Sequence, residues 1–195
     1  DIVLTGAGTS AFIGDAIAPL LRGVWRNVRA VATTDIVTNA ADYLAADKPL
    51  LLISFARSGN SPESVAAVNL ANAICKNVAH IYITCNKNGH LAQSANAENI
   101  LSLLLPEETD DKSLAMTSSF STMLLTCLML SKIDTIENEK EAVEATAANA
   151  QAILDQYIAD IEKIAARPFE RGVFLGSGPM KGIAEECHLK LQELT

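Results

Sequence analysis

Five short apolar runs, residues 2–5, 28–33, 50–55, 80–84 and 100–105, alternate with helix-forming stretches, and this alternation limits most strongly what the chain can fold into. Runs this short and this rich in Ile, Leu and Val read as strands covered on both faces. The intervening stretches read as helices over 11–22, over 62–75 and, more briefly, after His90. Strand, helix, strand in repetition demands a parallel sheet with right-handed crossovers. The expected fold is therefore α/β: a doubly wound, five-stranded parallel sheet of the flavodoxin-like kind, with helices on both faces. Composition agrees, since 49% of residues are apolar and only 5% aromatic, which suits buried strands under small-residue helices.

From 137 to 167 the chain is rich in Ala and Glu. Val143, Ala147, Ala150, Leu154, Tyr157, Ile158 and Ile161 recur there at helical spacing, so one long helix is expected, ended by Pro168. Gly172-Val173-Phe174-Leu175-Gly176-Ser177-Gly178 then repeats the grammar of Ile2-Val3-Leu4-Thr5-Gly6-Ala7-Gly8: apolar strand, G-x-G, helix. The reading is a first domain over 1–165 and the opening strand and helix, 170–195, of a second copy cut short. With no start Met or basic leader, the chain reads as an excised piece that lacks turnover by itself. The apolar face of Ile183, Cys187 and Leu191 is expected to need another surface to pack on.

A net charge of −8 disfavours nucleic acid as a partner but leaves small anions open. No apolar stretch approaches the roughly 20 residues of a membrane span. Cys75, Cys85, Cys127 and Cys187 stand far apart without a C-x-x-C pair, as expected for reduced, buried thiols in a cytoplasm rather than a metal site.

In doubly wound sheets, ligands bind beyond the carboxyl ends of the strands. The loop after the first strand, Gly6-Ala7-Gly8-Thr9-Ser10-Ala11, offers close backbone approach, two hydroxyls and a helix start. It also fits a dinucleotide fingerprint or a plain tight turn. The loop after the third strand, Arg57-Ser58-Gly59-Asn60-Ser61-Pro62-Glu63-Ser64, is more telling. Hydroxyls, a guanidinium and the N-terminus of a helix, with Ser61 as N-cap and Pro62 in its first turn, converge as a phosphate monoester requires. Arg57 reads either as a bidentate fork or as a solvated residue. A third polar run, Lys112-Ser113-Leu114-Ala115-Met116-Thr117-Ser118-Ser119, follows the fifth strand, with Thr117 or Ser118 capping the next helix.

Together G-A-G-T-S, R-S-G-N-S-P-E-S and A-M-T-S-S, placed after strands one, three and five, resemble the SIS (sugar isomerase) domain family. The resemblance covers about 1–165 fully. Glu185-Glu186-Cys187-His188-Leu189-Lys190-Leu191-Gln192-Glu193-Leu194-Thr195 looks like the A-L-K-L-x-E-[IL] segment of a second copy. Among the family's branches the chain is most similar to the tagatose-6-phosphate ketose/aldose isomerases, which act as galactosamine-6-phosphate deaminase-isomerases. It is more distantly similar to the isomerase half of glucosamine-6-phosphate synthase.

The resemblance implies that Ser10, Ser58 and Ser61 take the phosphate, with Arg57 beside them where the synthase has Gln. It implies that Thr9, Ala115, Thr117 and Ser118 line the sugar, that Glu193 shuttles the proton and that Lys190, one turn earlier, assists it. The ring-opening His lies beyond this sequence, and His80 reads as structural. No cofactor or metal is implied; the partners expected are a phosphorylated amino sugar and, in a homodimer, a second subunit. Two rival readings remain: a SIS module that senses a sugar phosphate without turnover, and an NAD-dependent dehydrogenase. Glu186 and Lys190, four apart, also read as an ordinary surface ion pair.

Overall fold

In the structure, a computed structural model describing residues Asp1–Thr195, β1 (Ile2–Thr5), β2 (Val28–Ala30), β3 (Leu50–Ala56), β4 (Val78–Thr84) and β5 (Ile100–Leu104) form one sheet in the order β2-β1-β3-β4-β5. Every pairing is parallel, with Ile2 opposite Val28 and Leu51, Leu50 opposite Val78, and His80 opposite Ile100. Side chains alternate across the pleat. Val3, Leu52 and Tyr82 enter one core with Ala67 and Ala71 of α4 (Pro62–Ile74). Leu4, Ile53 and Ile83 enter the other with Ile13 and Ile17 of α1 (Thr9–Leu21) and Met123 of α6 (Ser118–Leu130). Burial on both faces explains why the strands read as unbroken apolar runs.

The second strand is shorter than its apolar run suggested. It ends at Ala30, and Thr33 instead opens α2 (Thr33–Thr38), followed by α3 (Ala40–Tyr43). The Thr33 N–H and Oγ1 both donate to the carbonyl of Gly6, at 2.9 and 3.1 Å, which draws the chain off the sheet edge and over the first loop. A short α5 (His90–Gln93) follows β4, as expected. Cys75, Cys85 and Cys127 are buried, whereas Cys187 is only partly so.

The chain divides into two compact units, 1–131 with 174–195, and 132–173. The second consists of a 3₁₀ segment, Ile133–Glu139, bent at Thr135, and α7 (Lys140–Ala165). The α-helix of 137–167 thus begins at Lys140, with residues 137–139 in the 3₁₀ turn that leads into it. Along α7, Leu154, Tyr157, Ile158 and Ile161 form a stripe that is about half exposed.

Residues 172–178 do not form the expected strand. Val173 and Leu175 are 80% and 89% exposed, and a lone strand has no ladder to pair with. The local geometry nevertheless repeats: Gly8 stands at φ 53°, ψ −127° before α1, and Gly178 at φ 55°, ψ −130° before α8 (Pro179–Leu194). A Cβ on Gly6 would lie 2.6 Å from Ser10, and one on Gly176 would lie 2.0 Å from the Met180 carbonyl oxygen, so each helix start closes onto its first glycine.

Within the first unit α8 packs on α1. A Cβ on Gly182 would come within 2.4 Å of the Ala16 nitrogen, and Glu186, one turn on, reaches back to Thr9, so the two helices run antiparallel. The face turned inward is therefore that of Gly182 and Glu186. Ile183 and Cys187 are half-buried and Leu191 is exposed, so the apolar face expected to need another surface lies beside this contact rather than within it.

Candidate active site

The carboxyl ends of β1 and β3 lead into the starts of α1 and α4, and there Ser10, Arg57, Ser58 and Ser61 line one cleft of about 80 Å³, with Ser64 and Met116 completing the wall. Ser10 is buried within the first turn of α1, held by the tight Gly6 approach. Ser61 is the N-cap residue of α4 by position, but its side chain makes no cap bond, contrary to expectation. The Ser61 carbonyl accepts from the Ser64 and Val65 amides instead, which leaves the hydroxyl uncommitted beside an N-terminus that carries partial positive charge.

The Ser58–Ser61 turn is pinned from the β4 side, a feature not visible in the sequence. Asn86 Nδ2 donates to the Ser58 carbonyl at 3.0 Å, the Leu91 amide donates to Gly59 O at 3.1 Å, and the His90 amide donates to Asn60 Oδ1 at 2.8 Å. Gly59 adopts φ 66°, and a Cβ on Gly89 would lie 2.2 Å from Ser58 O, so both glycines are required for this contact. Arg57 is neither a free solvated residue nor paired with an acid: its Nη1 donates to Ser113 O at 3.1 Å, tying the β3 loop to the β5 loop.

Thr9, Glu186, Lys190 and Glu193 form one chain of polar contacts. Thr9 Oγ1 donates to Glu186 Oε1 at 3.3 Å, Lys190 Nζ lies 3.5 Å from the same oxygen, and Lys190 Nζ also donates to Glu193 Oε2. The Lys190 and Glu186 side chains are only 17% and 8% exposed, so the reading as an ordinary surface pair does not hold. Glu186 Oε2 is buried and has no partner. Burial pushes the Glu186 carboxyl up from its ordinary value, opposed by the Lys190 charge and the bond from Thr9. Sequence reasoning passed over Glu186 as a site residue, although its place four residues before Lys190 and seven before Glu193 puts all three on one helix face.

The third predicted group behaves differently. Ala115 is buried, and its carbonyl accepts from Ser113 Oγ at 2.7 Å. Neither Thr117 nor Ser118 caps α6 with its own side chain; the cap is the carboxylate of Asp111, which takes the amides of both and the Thr117 hydroxyl. His80 is structural in the sense expected: wholly buried, it meets Asn72 Oδ1 at 2.9 Å, and burial lowers its pKa.

No group of three or more His, Cys, Asp and Glu residues is placed to hold a metal ion, and no helix is long and apolar enough to cross a membrane. A doubly wound parallel sheet with a serine-lined cleft beyond its first and third strands defines a class of small-ligand-binding α/β domain. The SIS domain family matches residues 1–133, and the chain belongs to that family. Escherichia coli D-galactosamine-6-phosphate deaminase AgaS is 50% identical over 198 residues, covering 100% of this chain and 51% of the relative. The deaminase of the same name from Shewanella sp. (strain ANA-3) is 44% identical over 199 residues, covering 100% and 50%. The crystal structure of tagatose-6-phosphate ketose/aldose isomerase from Escherichia coli matches with a TM-score of 0.93 at 51% identity, over 100% of this chain and 53% of that one. The chain spans about half the length of the curated relatives it matches.

Proposed function

We propose that this chain belongs to an aldose–ketose isomerase and deaminase that converts an amino-sugar 6-phosphate, galactosamine 6-phosphate, to tagatose 6-phosphate and ammonia. The observation that carries this reading is that adjacent residues in the first turn of α1 serve two polar groups: Ser10 lines the cleft with Ser58 and Ser61, and Thr9 donates to Glu186, which contacts Lys190 and through it Glu193. The phosphate sits among the three serines and the α4 amides, with Arg57 bracing the loop. Thr9 and Ala115 flank the sugar. Thr117 and Ser118 serve it indirectly, because Asp111 holds their amides.

In the open-chain substrate the Glu193 carboxylate takes the C2 proton and the electron pair forms the C1–C2 double bond as the aldehyde oxygen gains a proton; the same carboxyl then returns its proton to C1 while the nitrogen lone pair forms the C2–N double bond and the nitrogen releases a proton, leaving a ketimine at C2. Water adds to the ketimine carbon, ammonia leaves, and the ketose remains. One carboxylate on one face of the substrate serves both carbons. Lys190 steadies the developing oxyanion, and Glu186 on its other side keeps the ammonium in place between two carboxyls. The 170–195 segment is read as the opening of a second SIS copy, supported by the repeated glycine geometry before α8. The intact protein is read as a cytoplasmic homodimer without affinity for nucleic acid, in keeping with the net charge of −8.

Ammonia release and product analysis on the intact protein, with galactosamine 6-phosphate against glucosamine 6-phosphate, test the reading; binding without turnover would make it a sensor instead. Glu193→Gln should lower kcat by at least about 10²-fold and leave KM within a few-fold. Near-normal exchange of the C2 proton with deuterated solvent in that variant would place the base elsewhere.

A further inference from the structure

The first turn of α6 is held by a residue outside the helix. Asp111 accepts five hydrogen bonds: at Oδ1 from Thr117 Oγ1 (2.9 Å) and the Ser118 amide (3.1 Å), and at Oδ2 from the Thr117 amide (2.9 Å), the Ser119 amide (2.9 Å) and Ser119 Oγ (2.6 Å). Ser119 is wholly buried, so its hydroxyl would be costly without that partner. Partial burial works to raise the Asp111 pKa, but the bonds from Ser119 and Thr117 outweigh it and hold the carboxyl well below the usual range.

These bonds close a ring, in which the chain leaves Asp111, passes through 112–116 and returns to the same carboxylate. Lys112, Ser113 and Leu114 are exposed and bring no core packing to the loop, Leu114 being 78% exposed. Inside the ring Ser113 Oγ donates to Ala115 O, and from outside Arg57 donates to Ser113 O. The loop ends at Met116, which forms part of the wall of the cleft containing Ser10, Ser58 and Ser61.

We propose that Asp111 is a positioning residue for the ligand of that cleft, clasping the first turn of α6 so that the 112–116 loop holds Ala115 and Met116 against the bound sugar phosphate. The clasp also fills the α6 N-terminus with a tethered anion, whereas no side chain caps the starts of α1 and α4, which carry the cleft serines. The role of the clasp in substrate binding rests on reading the cleft as the sugar-phosphate site.

The test uses the intact protein. Asp111→Ala should raise KM for galactosamine 6-phosphate about tenfold with kcat within about threefold, and Asp111→Asn, which keeps the shape and one acceptor oxygen, should fall between it and wild type. Ser121→Gly weakens the exposed side of α6, losing its hydroxyl's bonds to the Thr117 and Ser118 carbonyls, but keeps all five bonds to Asp111 and should leave KM within about twofold, which separates positioning from mere helix stability. In ligand-free protein the ¹³C-methyl resonance of Met116 should move toward its solvent-exposed position in both Asp111 variants. An unmoved Met116 resonance, a KM within about twofold of wild type in Asp111→Ala, or an equal rise in Ser121→Gly would each overturn the proposal. Ser58→Ala with Ser61→Ala, run in parallel, reports on the cleft itself: an unchanged KM there removes the phosphate reading, while the ligand-free Met116 signal still decides whether Asp111 sets the loop.

Discussion

α4 and α6 both leave the carboxyl edge of the sheet, and both begin in segments dense with hydroxyls. At α4 the N-cap residue Ser61 makes no side-chain cap, and its hydroxyl faces a cleft shared with Ser10 and Ser58. At α6 the amides of Thr117, Ser118 and Ser119 all point at one internal carboxylate, that of Asp111. A helix N-terminus attracts negative charge in either case. What separates a ligand site from a structural cap is whether the fold brings its own anion, and only at α6 does it do so.

The largest effect expected to sharpen this contrast is on binding. Ser58→Ala with Ser61→Ala should weaken binding of the sugar phosphate to the intact protein by about 2–4 kcal/mol, a loss of roughly 30- to 1000-fold, if each hydroxyl donates to a charged oxygen. Ser118→Ala, which leaves its amide on Asp111, should change the dissociation constant by less than about twofold. Calorimetry that found the two variants alike would dissolve the distinction between the helices.

A smaller effect of opposite placement is expected on stability. Asp111→Ala removes the acceptor for three amides and two hydroxyls and should cost about 1–2 kcal/mol, the upper range for a lost N-cap. Ser61→Ala removes no cap bond and should cost less than about 0.5 kcal/mol in urea unfolding. Equal losses at the two helices would mean that Ser61 caps α4 after all.

The contrast also marks how far the sequence could be read. The sheet, its parallel pairing and the α1 and α4 starts were legible because each rests on local signals: apolar runs, a G-x-G turn, Ser-Pro before a helix. The strand-end rule pointed to the loops that hold Ser10, Ser58 and Ser61, and the resemblance to the SIS family grouped the three. The turn at Thr33 was not legible, since it depends on the carbonyl of Gly6, 27 residues away. Nor was Asp111, six residues before Thr117 in a run where Asp110 and Glu108 look equally suitable. Which carboxylate meets the α6 amides is decided by the path of the β5 loop over the sheet. Glu186 was hidden for a further reason: an acid four residues from a lysine looks like a surface pair until the close approach at Gly182 buries it.

The smallest expected effect is visible only in acid, and it tests the charge on the α6 cap directly. In the folded chain the Asp111 carboxyl ionises below its ordinary value of 3.8, so the native state gives up that proton more readily than the unfolded one. The stabilisation is therefore complete above that ordinary value and disappears as pH falls through it toward the folded value. Glu186 has the opposite sign, because burial raises it and the native state gains as pH falls through its raised value. Wild type and Asp111→Asn share Glu186, so their difference in unfolding free energy cancels it to first order. That difference should be level between about pH 7 and pH 5 and shrink steadily below about pH 4. A difference that stays constant down to about pH 2.5 would mean that the Asp111 charge contributes nothing beyond its shape, and the tethered-anion account of α6 would fail. No comparable acid-side loss should appear between wild type and Ser61→Ala, because the hydroxyl at the start of α4 carries no charge to titrate.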